Sequence, residues 1–219
     1  MAQQSLTASQ IITTFELFVS DVTELSSVEE LALLNRVYLK VCSDRPYEFL
    51  KTSVTGTVLN DAIGYYITPP ADFAYFIENN QFTDNSIGVY NNAVPKVIFI
   101  ISGIAYSPYQ IINFSDRRQY VNMVGFAYYD TANNIIRFTG TPVTTSYEFD
   151  YIKIPALLAL TDTPIFPGRF HEMLAFGMAT DNDMLQLSPK ASSYAQENNA
   201  KLASMKLDMD YWNSMLQNN

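Results

Sequence analysis

Apolar residues near the start of the chain recur every three or four positions, which is the spacing of one face of an α-helix. This stripe predicts a first helix over about residues 8–20. Thr7 precedes it and suits the N-cap, because a threonine hydroxyl accepts a hydrogen bond from a free amide of the first turn. The residues of the stripe are Ile11, Phe15, Phe18 and Val19.

A second helix has the clearest start signal. Ser27 and Glu30 have the spacing of a capping box, in which the serine hydroxyl and the glutamate carboxylate each accept a hydrogen bond from a backbone amide. Apolar positions at helical spacing continue to about Ser43, and Arg45 and Pro46 end the helix. These apolar positions are Leu31, Leu34, Tyr38 and Val41.

From about Thr52 the pattern changes to the alternation of β-strands, with Thr, Val, Tyr and Phe frequent. Turn-forming residues divide this region into roughly six to eight strands at hairpin-like spacing, which predicts a small sandwich or barrel. The clearest hairpin joins residues 125–130 to 135–138. The asparagine-rich stretch 79–92 predicts a long loop, either a partner contact or a passive connection.

The stretch 147–187 leads from the strand pattern back to a helical pattern. Tyr147, Phe149 and Tyr151 alternate with other residues, as in a half-buried strand. A helix is predicted from Arg169 to about residue 187. Between strand and helix, a rigid junction is predicted at Pro155, Pro164, Pro167 and Gly168.

The last predicted helix runs from about residue 189 to 216 and carries apolar residues spaced by three and four positions, like a coiled-coil seam. The seam consists of Leu202, Met205, Met209, Trp212 and Leu216. It either packs on the first two helices or docks into a groove on a partner. The part beyond Ala200 is the better candidate for a partner surface, since Met adapts its shape and Trp is typical of binding hot spots.

Together these elements predict an α+β fold. The N- and C-terminal helices at residues 1–51 and 154–219 are expected to form a helical-bundle frame. An antiparallel β-sandwich or barrel-like domain is expected as an insertion at residues 52–153. The prolines of the junction would hold this insertion at a fixed angle to the frame.

The net charge of the chain disfavours nucleic acid as a partner. The chain has 22 acidic and 13 basic side chains and a net charge of −9, so a clamp for nucleic acid is disfavoured. The adjacent Arg117 and Arg118 are better explained as a solvated face than as a DNA contact.

No apolar run is long enough to cross a bilayer, and MAQQSLTASQ lacks the features of a signal peptide. We therefore expect folding in a cytoplasm.

Catalytic and metal-binding signatures are weak. His171 is the only histidine and Cys42 the only cysteine, so we expect no metal site, no catalytic triad and no intrachain disulfide. The glycines form no nucleotide-binding motif, and no cofactor is expected. A packed structural role is the simpler interpretation of both His171 and Cys42.

Residues of the predicted β region suggest two alternative functions. Glu148 and Asp150 share one face of a strand, and paired carboxylates perform glycoside hydrolysis. The simpler interpretation is that they form the wet face of that strand. Alternatively, the tyrosine-rich strands form a module that binds a receptor or glycan.

Five segments resemble, in the same order, those of bacteriophage head-to-tail adaptors, the connector or tail tubular proteins of short-tailed phages related to T7. The first three segments are SSVEELALLNRVYLKV, RPYEFLK and TSVTGTVL. The others are GYYITPPADF and YEFDYIKIPALLALTDTPIFPGRFHEMLAFGMA. The resemblance covers about residues 31–178.

This resemblance implies a structural protein of the virion neck, assembled in the host cytoplasm. Such adaptors form rings of about twelve copies held by heterologous contacts. The C-terminal segments bind the portal protein, and tail or nozzle proteins attach on the other face. DNA passes through the lumen, where acidic groups would prevent specific binding.

Overall fold

The computed structural model divides the chain into two compact units, a helical unit at Met1–Leu50 and Pro155–Asn219 and a β unit at Lys51–Ile154. It describes residues 5–19, 25–77, 97–102, 105–142, 145–185 and 191–217. It describes the backbone alone for residues 97–102, 105–108, 183–185, 191 and 209–217. The loop predicted at 79–92 and the break predicted at residues 188 and 189 lie outside the described residues.

Four α-helices are described in the helical unit. They are α1 (Ala8–Val19), α2 (Ser27–Ser43), α3 (Glu172–Leu185) and α4 (Ala191–Gln217). Short 3₁₀ turns at Glu48–Leu50 and Gly168–Phe170 adjoin α2 and α3 in sequence. The predicted helices are thus confirmed, with ends that differ by a few residues.

The N-cap predicted for α1 is confirmed. The Gln10 amide donates to Thr7 Oγ1 at 3.3 Å, and the Thr7 amide donates to Gln10 Oε1 at 2.9 Å. Each side chain therefore satisfies an amide that the helix itself leaves free.

The capping box predicted for α2 was wrong by one residue. Ser26 is the N-cap, and its amide donates to the Glu29 carboxylate at 2.8 Å. The pair Ser27 and Glu30 has the same spacing, so local sequence offers two equal choices. Tertiary packing buries Glu30, which leaves the exposed Glu29 to turn back to the start of the helix.

Helix α3 is the centre of the helical unit. It contacts α1, α2 and α4, so it is surrounded on most sides and is apolar around most of its circumference. Its fully buried residues are Met173, Leu174, Ala175, Met178 and Ala179.

Nine strands form the sheet of the β unit, in the order β1-β9-β5-β6-β7-β8-β3-β2, and β4 pairs with β9 beyond the end of β5. They are β1 (Lys51–Thr57), β2 (Leu59–Asn60), β3 (Tyr65–Ile67), β4 (Phe73–Phe76), β5 (Val97–Ser102), β6 (Ala105–Ile112), β7 (Phe126–Asp130), β8 (Ile135–Phe138) and β9 (Ser146–Lys153).

The sheet turns back on itself. Strands β1 and β2 lie at opposite ends of the strand order, yet only Val58 separates them in the chain. The Val58 amide donates to the Thr145 carbonyl at 2.6 Å, next to the start of β9. The two ends of the strand order therefore meet, as in a barrel. With the helices of the other unit, this sheet confirms the predicted α+β class.

The sheet is antiparallel, as predicted, apart from one strand pair. Strands β6 and β7 are parallel, whereas the other pairs among the described strands are antiparallel. Parallel neighbours need a connection that carries the chain back to the same end of the sheet. The 3₁₀ helix Phe114–Tyr120 lies in that connection, and we refer to residues 113–125 as the crossover.

The core of the β unit is aromatic. On β9, Tyr147, Phe149 and Tyr151 point into the core while Asp150 is exposed, which confirms the predicted alternation. Phe149 contacts Phe76, with ring centroids 5.4 Å apart. The buried cluster contains Val58, Ile67, Phe76, Tyr109, Ala127, Ile136, Phe138, Tyr147, Phe149 and Tyr151.

Candidate functional site

Helix α4 carries the predicted partner-binding seam, and polar contacts attach it to the helical unit up to Asp208. Near its start, the Tyr194 hydroxyl donates to the Phe18 carbonyl at 2.8 Å. Further along, Lys206 pairs with Asp44 at 2.6 Å, and Asp208 pairs with Arg169 at 2.6 Å. This part of α4 is therefore a fixed element of the helical unit.

The first part of the seam packs inside the helical unit. Met205 is fully buried and Leu202 is half-buried, whereas Leu207 on another face is 70% exposed. The later seam residues lie on the same continuous helix, but their side chains are outside the described residues. These are Met209, Trp212 and Leu216.

The end of the predicted junction holds the N-terminal segment. A Cβ on Gly168 would lie 2.9 Å from the Ser5 Cα, so only glycine permits this close approach. His171 accepts a hydrogen bond from the Leu6 amide at 2.9 Å through Nδ1 and donates to the Phe166 carbonyl at 2.8 Å through Nε2. Pro167 precedes the 3₁₀ turn that positions both residues.

The rest of the junction is fastened to the first two helices. The Asn35 amide group donates to the Leu158 carbonyl at 3.0 Å and accepts from the Leu158 amide at 2.7 Å. The Ala8 amide at the start of α1 donates to the Asp162 carbonyl at 2.8 Å. Pro164 is buried and Pro155 is half-buried. These long-range bonds were not predictable, because Asn35 has no distinctive sequence context.

His171 and Cys42 have the structural roles that the sequence suggested. His171 is 1% exposed, and both of its ring nitrogens have backbone partners. Cys42 is buried, and this burial raises the pKa of its thiol to about 12. A thiol that stays protonated is a poor nucleophile.

An ion-pair cluster in the β unit was missed by the sequence analysis. The buried Arg137 donates to both carboxylate oxygens of Asp61, at 3.1 and 3.0 Å, and lies 3.7 Å from Asp130. Its hydrogen bonds are the largest cause that lowers the pKa of Asp61 to about 2. An arginine in the apolar strand β8 was the only sequence signal of this cluster.

The comparison with known families identifies the class of protein. A family model described as SU10 adaptor protein matches residues 6–218. The chain belongs to the SU10 adaptor protein family. This confirms the resemblance to phage head-to-tail adaptors and makes the chain a phage structural adaptor and a virion component. No curated protein matches the chain.

The SU10 adaptor family is a structural family rather than an enzyme family. Glu148 is half-buried and Asp150 is exposed on the side of β9 opposite the aromatic core, which is the arrangement of a solvated strand face. Among the described residues, no group of three or more His, Cys, Asp or Glu residues has the arrangement of a metal site.

No helix in the described part of this SU10 adaptor chain has the length and apolar character needed to cross a bilayer. The tyrosines that suggested a glycan site also have another explanation. Tyr109, Tyr147 and Tyr151 are buried in the core of the β unit, so they contribute to packing rather than to a surface.

Proposed function

We propose that this adaptor forms a homo-oligomeric ring in the neck of a phage virion, between the portal protein and the tail or nozzle proteins. The observation that carries this proposal is the family match, which spans residues 6–218 and therefore includes both units. That the junction prolines fix the angle between the two units stays a prediction.

The charge of the chain supports an acidic channel for DNA. At −9 per chain, a ring of about twelve copies carries roughly a hundred excess negative charges. Acidic groups that line the lumen repel phosphate, so DNA passes without specific binding. In a gel-shift assay at moderate salt, we expect the purified protein not to retard duplex DNA. Tight, salt-sensitive binding would contradict the acidic channel.

The end of α4 is the proposed portal-binding element. The helical unit holds α4 up to Asp208 through Met205 and the ion pairs of Lys206 and Asp208. The helix continues to Gln217, and Met209, Trp212 and Leu216 extend the seam along it. A helix with such anchors fits a groove on a partner.

A truncation tests this element. Removal of residues 209–219 keeps Met205 and both ion pairs, so the protein should stay folded and should unfold cooperatively on heating, like the full-length chain. We expect it to lose binding to the portal protein of the same phage in sedimentation assays. The point variant Trp212→Ala should weaken binding at least about tenfold, the cost of a hot-spot residue.

The matched control is Leu207→Ala on the same helix, because Leu207 is exposed and lies off the seam. This variant should bind the portal protein like the wild type. If the truncated protein is folded and binds portal protein with full affinity, the end of α4 is not the portal-binding element.

A further inference from the structure

The crossover of the β unit presents an apolar surface to solvent. Four of its side chains are about half exposed or more, with Val121 at 61% and Val124 at 56%. Contiguous exposed apolar groups are typical of interaction sites. We call this surface the crossover corner, formed by Phe114, Arg118, Val121, Met123 and Val124.

The backbone of the crossover corner is held in place. Asn122 has a left-handed φ of 64°, and its amide donates to the Thr139 carbonyl at 2.8 Å. The Thr139 hydroxyl donates to the Met123 carbonyl at 2.6 Å. A Cβ on Gly140 would lie 3.0 Å from that same carbonyl, so the two segments approach closely. A surface that is already ordered loses little conformational entropy when it binds.

The crossover that carries this corner has a net positive charge, because Arg117 and Arg118 outnumber Asp116. The Arg117 guanidinium lies 3.7 Å from the centre of the Phe114 ring and donates to the Phe114 carbonyl at 2.6 Å. Arg118 is exposed, and none of the described carboxylates lies within ion-pair distance of it. The surface therefore fits an apolar patch with an acidic border.

The helical unit has a patch of that kind where α1 ends and α2 begins. Leu17 and Val28 are each 75% exposed. Burial raises the pKa of Glu30, and the nearby Glu16 carboxylate raises it further. Within the described residues, no basic side chain forms an ion pair with either carboxylate. We call this surface the acidic corner, formed by Glu16, Leu17, Val28 and Glu29, with the buried Glu30 beneath it.

We propose that the crossover corner of one copy docks on the acidic corner of a second copy. The two patches are complementary in charge, and both expose aliphatic side chains. Because the patches are different, the contact is heterologous and repeats from copy to copy, as closure of a ring requires. The inference rests on the proposed ring, and it names the surfaces that join its neighbours.

Cysteine pairs test this contact in the full-length chain. Val121→Cys and Val28→Cys place thiols on the two corners, while the native Cys42 is buried. The two variants are mixed and treated with a short bismaleimide crosslinker, with and without portal protein. We expect crosslinked dimers from the mixture and at least tenfold fewer from either variant alone.

Ile63→Cys is the matched control for Val121→Cys, because Ile63 is 76% exposed in the β unit outside the crossover corner. Its mixture with Val28→Cys should give no more dimers than the single variants. Equal crosslinking by Ile63→Cys overturns the proposal. Dimers from Val121→Cys alone, or a crosslink to portal protein instead of a second copy, also overturn it.

A charge exchange provides an independent readout. Arg118→Glu should weaken self-association about tenfold in sedimentation velocity, and Glu16→Lys in the same chain should restore it. Failure of that restoration counts against the contact. If copies crosslink between the two corners but no variant binds portal protein, the proposed neck function fails while this contact stands.

Discussion

Different kinds of contact stabilise the interior of each of the adaptor's two units. In the β unit, neighbouring strands repeat the same ladder of hydrogen bonds, and their alternate aromatic residues enter one core. In the helical unit, single polar contacts join residues that are far apart in sequence. The Leu6 amide binds His171, Asn35 binds Leu158, and Tyr194 binds the Phe18 carbonyl.

The difference shows which contacts periodicity encodes. Alternating apolar and polar residues along a strand indicate which side chains enter a core, so the sequence pattern is enough to identify them. A single hydrogen bond between distant segments leaves no periodic trace. The variants below either break the repeated contacts of the β unit or the single contacts of the helical unit.

The largest loss of stability is expected from Phe149→Ala in the β unit. Phe149 is 1% exposed and has aromatic neighbours on β4 and β9, so its removal should cost about 4 kcal/mol of unfolding free energy. Urea unfolding followed by aromatic circular dichroism measures this. The surface control Phe114→Ala should cost less than about 1 kcal/mol. Equal losses would mean that the β unit does not depend on its aromatic core.

In the helical unit, His171→Phe should cost about 2–3 kcal/mol, because the Leu6 amide and the Phe166 carbonyl lose their partner in a buried site. Hydrogen exchange at the Leu6 amide should accelerate in the same variant. Lys201→Ala, which removes a partly exposed ion pair with Glu172, should cost less than about 1 kcal/mol. A His171→Phe protein with wild-type exchange at Leu6 would show that this contact is dispensable.

Acid should weaken the β unit through Asp61. Its folded pKa of about 2 lies below the ordinary 3.8, so folding favours the carboxylate. That stability is present above about pH 4 and is lost as pH falls toward 2. Asp61→Asn should flatten the pH dependence of urea unfolding in this window. In Arg137→Gln, carbon NMR should show the Asp61 pKa rising, and an unchanged pKa would contradict the ion pair.

The smallest effect concerns the start of α2. Ser26→Ala should cost about 1 kcal/mol, because the Glu29 amide loses its cap. Ser27→Ala should change the unfolding free energy by less than about 0.5 kcal/mol, since Ser27 is already inside the helix. Thermal unfolding of the two variants measures the difference. A larger loss for Ser27→Ala would restore the capping box first predicted from sequence.

Much of the architecture was predictable from residue patterns. Helices α1, α2 and α4 follow from apolar spacing and caps, and β9 follows from the alternation of Tyr147, Phe149 and Tyr151. The parallel pairing of β6 and β7 was not predictable from residue patterns, because strand direction depends on how the crossover returns the chain. Within the candidate site, sequence identified the seam on α4, but only the structure shows that Met205 belongs to the core.

The sequence by itself determined the elements, the α+β class, the acidic charge and the resemblance to phage adaptors, because these depend on local periodicity, composition and residue order. The tertiary structure alone decided which of two equivalent serines caps α2 and that the buried Arg137 pairs with Asp61 and Asp130. It also decided that His171 holds the N-terminal segment. These choices depend on the distance between residues remote in sequence, and packing of the whole unit sets that distance.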